Sequence, residues 1–152
     1  MYESGTSLRT APLSSFSVVI FVVSLIGFFF VAFTDFGGLY ITGYYSGYRY
    51  SCLVCEYSTL IDWFAIVLAT LLLLGQMLIG LNDLLQNKFL PETFTRHGFN
   101  FAISTFIVIL IGGAAFAIAY SDYEWWFESG FYGGAIAGLI NSVLFFLKDK
   151  AK

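Results

Sequence analysis

Four stretches of this chain carry no Asp, Glu, Lys, Arg or His, and each is long enough to cross a lipid bilayer as a helix. They run Thr10–Thr34 (25 residues), Trp63–Asn82 (20), Gly98–Ser121 (24) and Ser129–Leu147 (19), against the roughly 20 apolar residues that a ~30 Å hydrocarbon layer requires. The pattern predicts an all-α integral membrane protein, an up-and-down bundle of four transmembrane helices. The helices are expected at about 15–34, 59–84, 97–120 and 129–148, with an outer loop over 35–58 and no separate soluble domain. Only 11% of the residues are charged, far below a soluble domain's quarter, and a net charge of −3 gives no reason to expect nucleic acid as a partner. The first stretch exceeds the core of a cleaved signal and no small-residue cleavage site follows it, so it reads as a retained span.

Threading four spans alternately puts Arg9, Lys88, Arg96, Lys148, Lys150 and Lys152 on one side of the membrane and only Arg49 on the other. Positive loops stay inside, so the N- and C-termini are expected in the cytoplasm of an integral, multi-pass cell-membrane protein. The outer side collects Asp35, Glu56, Asp62, Asp122, Glu124 and Glu128 together with Trp63, Trp125 and Trp126.

The outer loop holds two Tyr- and β-branched-rich runs, Gly37–Tyr45 and Tyr48–Cys55, around Ser46-Gly47. This reads as a β-hairpin, which needs the helix ends or a partner to support it. Its tyrosines Tyr40, Tyr44, Tyr45 and Tyr48, with Trp125 and Trp126 of the last outer loop, read either as a covering cap or as an interaction surface. That last loop, Ser121–Ser129, is too short for a fold of its own and is expected to anchor in the interface. The inner loop, Asn82–His97, mixes Leu84, Leu85, Phe89 and Phe94 with charged residues and should lie on the membrane surface.

Gly130, Gly134, Gly138 and Ser142 recur every four residues on the last span, and Gly112 and Gly113 thin the third. Such small residues let helices approach closely, either within the bundle or between copies. Buried amides in lipid need partners. Gln76 lies about 20 Å and Asn141 about 18 Å from the outer boundary at ~1.5 Å per residue, so they are expected to bond one another or Ser104 and Thr105 in one polar layer. No acidic or basic residue lies deep in a span, which argues against a proton-driven transporter.

Cys52 and Cys55 are the only candidate reactive pair, and both fall on the oxidising side. In a strand, residues three apart are about 10 Å from each other, beyond the ~7 Å limit for a bridge, so the pair can close only where a turn or helix begins. His97 is the sole histidine and lies on the other side, so no metal is expected at the cysteines.

Gly38-Leu39-Tyr40 followed by Cys52, on a four-span topology with a short aromatic second loop, resembles the claudin and peripheral-myelin-protein tetraspan group. Tyr40 stands where that group has tryptophan and Gly43 where its first cysteine falls. The resemblance implies lateral self-association and partner binding through the outer loop. The C-x-x-C before the second helix also resembles DsbB-type thiol–quinone oxidoreductases, which would make Cys52 and Cys55 a quinone-linked redox pair. The second cysteine pair of that family is absent, and Thr59 stands where it has arginine.

The function expected is non-enzymatic: a scaffold, assembly factor or accessory subunit whose partners are the lipid bilayer and another membrane protein or copies of itself, with no cofactor. A thiol–disulfide oxidoreductase using quinone is the alternative, and a small-solute or lipid-handling protein the second.

Overall fold

The computed structural model describes residues 11–56 and 58–151. The chain runs α1 (Ala11–Phe33), β1 (Gly37–Ile41), β2 (Gly47–Ser51), α2 (Leu60–Leu84), α3 (Glu92–Thr95), α4 (Gly98–Ala119), β3 (Glu124–Phe127) and α5 (Ser129–Lys150). Arg9 and Lys152, two of the basic residues on which the expected orientation rests, lie outside the described residues.

Four helices are long and apolar enough to cross a membrane, and on that basis the chain is a multi-pass membrane protein. α1 packs along α2 and α5, and α4 along the same two, so the helices close a ring in the order α1, α2, α4, α5. Their outward faces are as apolar as their inward ones: Val22, Ile26, Phe29 and Phe33 of α1 and Leu68 and Leu71 of α2 are exposed. A helix apolar all round has lipid, not water, as its natural surroundings. Inside the ring, Val31, Phe36, Ile66, Leu73 and Ile109 pack into one cluster, and Ile20, Ile79, Ala102 and Phe145 into another.

The expected hairpin belongs to a larger sheet. β1 pairs antiparallel with β2 on one side and with β3 on the other, giving the order β2-β1-β3. The Ser121–Ser129 segment, expected as an interfacial anchor, therefore holds a strand. Four residues suffice because β1 already offers a free edge for Glu124–Phe127 to pair with. The turn also differs from the Ser46-Gly47 reading. It runs over Thr42–Ser46 with Tyr44 and Tyr45 at its tip; Gly43 leads into it with a φ of 145° that favours glycine, and Ser46 Oγ closes it by accepting from Gly43 N and donating to Gly43 O. Pro91 precedes α3, a separate single turn, and the next long helix starts at Gly98.

Candidate functional site

Strand alternation sorts the sheet into two faces. Leu39 is fully buried against the bundle, and Ser51 and Phe127 lie on the same face. The other face carries Tyr40, Tyr48, Tyr50 and Trp126 around Gly38. A Cβ at Gly38 would lie 2.6 Å from the Trp126 ring, so this glycine is what lets the indole lie across the strand. Tyr48 contacts both Tyr40 and Trp126, at ring separations of 5.0 and 6.0 Å. Beyond the sheet, the turn projects Tyr44 and Tyr45, which are 96% and 78% exposed. Of the residues expected at an interaction surface, Tyr44, Tyr45 and Tyr48 stand out from it, while Tyr40 and Trp126 are half-buried supports. Trp125 points the other way, toward Phe116 and Phe127. Tyr50 joins them without having been expected there, although the Tyr48-Arg49-Tyr50 alternation puts it on the aromatic face.

The sheet is welded to the helix ends. Phe36 N donates to Ser51 O (2.7 Å), Glu128 N to Phe36 O (3.1 Å) and Gly130 N to Asp35 O (2.9 Å). Thr59 caps α2, with its Oγ1 accepting from Asp62 N, and the Asp62 carboxylate accepts from Ser51 Oγ (2.5 Å) and from the Thr59 hydroxyl. A Thr-x-x-Asp at a helix start is a capping-box signal. That signal distinguishes fully buried Asp62 from the other outer acidic groups, among which its position alone would place it.

β2 stops at Ser51, and the chain turns at once, with Cys55 N donating to Cys52 O at 3.3 Å. The turn brings the two Cα atoms to 5.0 Å, and Cys52 and Cys55 form a disulfide. Ser58 Oγ accepts from Cys52 N and donates to Cys52 O, while Trp63 Nε1 donates to Leu53 O, so both flanks of the bridge are held. Asp35 lies beside it, its carboxylate oxygen and the two sulfurs all within 4.8 Å of one another. Burial, then the neighbouring Glu128 carboxylate, raises the Asp35 pKa above the ordinary aspartate range. With the sulfurs bonded to each other, the trio offers no thiolate to a metal ion.

Midway down the bundle, Asn141 Nδ2 donates to Gln76 Oε1 and to Ser24 Oγ, and Gln76 Nε2 donates to Thr105 Oγ1, each at 2.8 Å. The layer links all four long helices. Ser104 takes no part in it: half-buried beside Thr105 on α4, it is one residue, or about 100°, around the helix. Its place is taken by Ser24. A serine in a span gives no clear signal of such a role, because it can bond its own helix, as Ser24 Oγ also does to Ile20 O.

The glycine stripe faces inward. A Cβ at Gly130 would meet Asp35 O at 2.8 Å, at Gly134 Val31 and Ile109 at 2.7 and 2.8 Å, and at Gly138 the Phe106 backbone nitrogen at 2.7 Å. Gly112 abuts Ala65 of α2 and Gly113 abuts Phe131 of α5, while Ser142 bonds Gly138 O of its own helix. Gly80, where a Cβ would lie 2.9 Å from Phe21 N, does the same for α1 and α2.

At the other end of the bundle Lys148 pairs with Asp83, and His97 lies at the start of α4 against Asn100. No family model, curated protein or solved structure matches this chain.

Proposed function

We propose that this chain is a non-enzymatic scaffold, assembly factor or accessory subunit of the cell membrane, and that the aromatic sheet is the surface its partner meets. The observation carrying this is the combination of a pinned sheet with exposed Tyr44, Tyr45 and Tyr48. Amphipathic rings on a rigid base bury large area at small entropic cost. Because the glycine stripe is consumed inside the bundle, it offers no close-packing face to a partner or second copy. Lys88, Arg96, Lys148 and Lys150 lie at the end away from the sheet, which supports cytoplasmic termini and an outward sheet. The test is native mass spectrometry of the chain gently extracted from its own membrane, beside a Tyr44→Ser/Tyr45→Ser/Tyr48→Ser variant. A defined assembly that the variant loses, with unchanged thermal unfolding, is expected. A monomeric native chain, or an assembly indifferent to the three tyrosines, refutes the reading.

A second reading is favoured by Asp35 beside the Cys52–Cys55 bridge. In thiol exchange, one thiolate of a partner dithiol attacks a sulfur of the bridge and breaks it. The partner's second thiolate then closes the partner disulfide, leaving two electrons and two protons on Cys52 and Cys55. Asp35, whose carboxyl holds its proton to higher pH than usual, is placed to exchange one of those protons. A quinone would take the same two electrons and two protons. Thiol trapping that finds the pair always oxidised, with Cys52→Ser behaving as the native chain, eliminates this alternative.

A further inference from the structure

The face of the sheet turned away from the bundle carries a carboxylate among its rings. Strand alternation and register place Tyr40, Tyr48, Tyr50, Glu124 and Trp126 on it, in two rows across the strands, Tyr50-Gly38-Trp126 and Tyr48-Tyr40-Glu124. Glu124 is exposed at the β3 end of its row. Its neighbours on that face are therefore Tyr40, one strand spacing of about 4.8 Å away, and Trp126, two residues or about 7 Å along β3.

The rings are not coplanar. Tyr48 meets Tyr40 at 56° and Trp126 at 73°, with centres 5.0 and 6.0 Å apart. Trp126 is held across Gly38 by its Nε1, which donates to Glu128 Oε1 at 2.5 Å. No cation shares this face. Arg49 falls on the register of Leu39, hence on the side toward the bundle, and its Nη1 donates to Tyr48 O. Among the described residues Arg49 is the one base at this end of the chain's bundle, against exposed Glu56, Asp122 and Glu124.

A surface that is both aromatic and anionic is complementary to a cation, which rings attract from within about 6 Å. The carboxylate beside the rings selects among cations. A guanidinium is planar and weakly hydrated, so it can lie on a ring while its N–H fork reaches the carboxylate; an ammonium is held more tightly by water, and a trimethylammonium has no N–H to give. We propose that this face takes an arginine side chain from a basic outer segment of the partner protein, with Tyr40, Tyr48 and Trp126 supplying the rings and Glu124 the carboxylate. The assignment rests on the sheet being the surface the partner meets, and it adds the chemistry of that partner.

The probe is N-acetyl-arginine amide, titrated beside its neutral citrulline counterpart and choline into the full chain in mild detergent. Binding is read from the indole N–H resonance of Trp126, identified by its loss in Trp126→Phe. Arginine is expected to bind about fivefold more tightly than either of the others. Glu124→Gln and Tyr48→Leu, both at exposed positions, are each expected to weaken it about threefold without altering the unfolding temperature. Citrulline binding as well as arginine, or arginine binding unchanged in both variants, overturns the proposal; choline binding as well as arginine overturns it in favour of a lipid headgroup. In the assembly extracted from the native membrane, Glu124→Arg sets like charges against each other and is expected to dissociate the partner. An assembly lost with Tyr44, Tyr45 and Tyr48 but kept with Glu124→Arg overturns the arginine assignment and leaves the sheet as the partner surface. A chain that is monomeric from the start refutes the sheet reading, and the partner's arginine with it.

Discussion

The mid-bundle amide layer makes a prediction whose size follows from counting bonds. Asn141→Leu removes the bonds to Gln76 and Ser24, and Gln76→Leu removes those to Asn141 and Thr105. The Gln76→Leu/Asn141→Leu double variant removes three bonds, not four, because one is shared. At about 0.6 kcal/mol for an interhelical hydrogen bond in a membrane, each single change costs ~1.2 kcal/mol and the double ~1.8. The non-additivity of ~0.6 kcal/mol is the shared Gln76–Asn141 bond, and it can reach about 1.7 at the upper end of such measurements. Leucine matches asparagine in heavy-atom count and branching and falls one heavy atom short of glutamine, so the cycle is not swamped by a cavity, and Asn141→Leu also removes an Oδ1 that has no partner. Reversible unfolding in mixed micelles measures all four species. Strict additivity would refute the placement of Asn141 against Gln76, whatever the single-variant losses.

Other perturbations separate close contacts from loose ones. Gly138→Ala drives a methyl toward the Phe106 backbone and is expected to destabilise the bundle by about 1–3 kcal/mol, whereas Gly75→Ala meets the Phe101 and Phe94 rings at 3.3 and 3.8 Å, side chains that can yield where backbone cannot, and should cost less in the same unfolding assay. Ser51→Ala takes one of the Asp62 carboxylate's donors and should loosen the sheet from α2, read as faster amide exchange in β2 than in α2. Asp35 has its pKa raised in the folded chain by burial and Glu128. Between its unfolded and folded values the native state therefore binds more protons, and stability falls as pH rises through that window. Asp35→Asn should flatten this fall and be no less stable at neutral pH; a pH profile that keeps its acid-side fall in the variant would assign the effect elsewhere.

The long helices were legible because lipid imposes a one-dimensional rule, an uncharged run of sufficient length. Gln76 and Asn141 were legible for a related reason: an amide in hydrocarbon has few ways to be satisfied, and equal depth narrows them to each other. What was not legible depended on meetings between distant segments. Glu124–Phe127 reads as an aromatic anchor until β1 lies beside it, because the sheet propensity of four residues shows only when there is an edge to pair with. Asp62 is marked in the sequence only by Thr59 three residues before it, and its burial follows only once Ser51 arrives from the end of β2. Ser24, which does bond in the layer, and Ser104, which does not, differ in helix azimuth, and apolar residues all round leave no periodicity to set it.

The arrangement of polar and apolar layers bears on which functions the bundle can perform. Above the amide layer lies one packed cluster, with Val31, Leu73 and Ile109; below it lies a second, with Ile20, Ile79 and Phe145, most of them fully buried. The amides between them bond chiefly to each other and to hydroxyls, so a solute crossing along the axis would have to push open both apolar plugs and break an interhelical network. Repacking both clusters is a much larger change than a lid or loop movement, because close-packed interiors resist small displacements. The same layers that oppose conduction favour a stalk. They hold the helix ends at fixed separation, the ends hold Phe36, Ser51 and Glu128, and those residues hold the sheet and its tyrosines. A fold that commits its intramembrane amides to interhelical bonds, and leaves Tyr44, Tyr45 and Tyr48 exposed beyond the helix ends, suits the proposed role of presenting a surface.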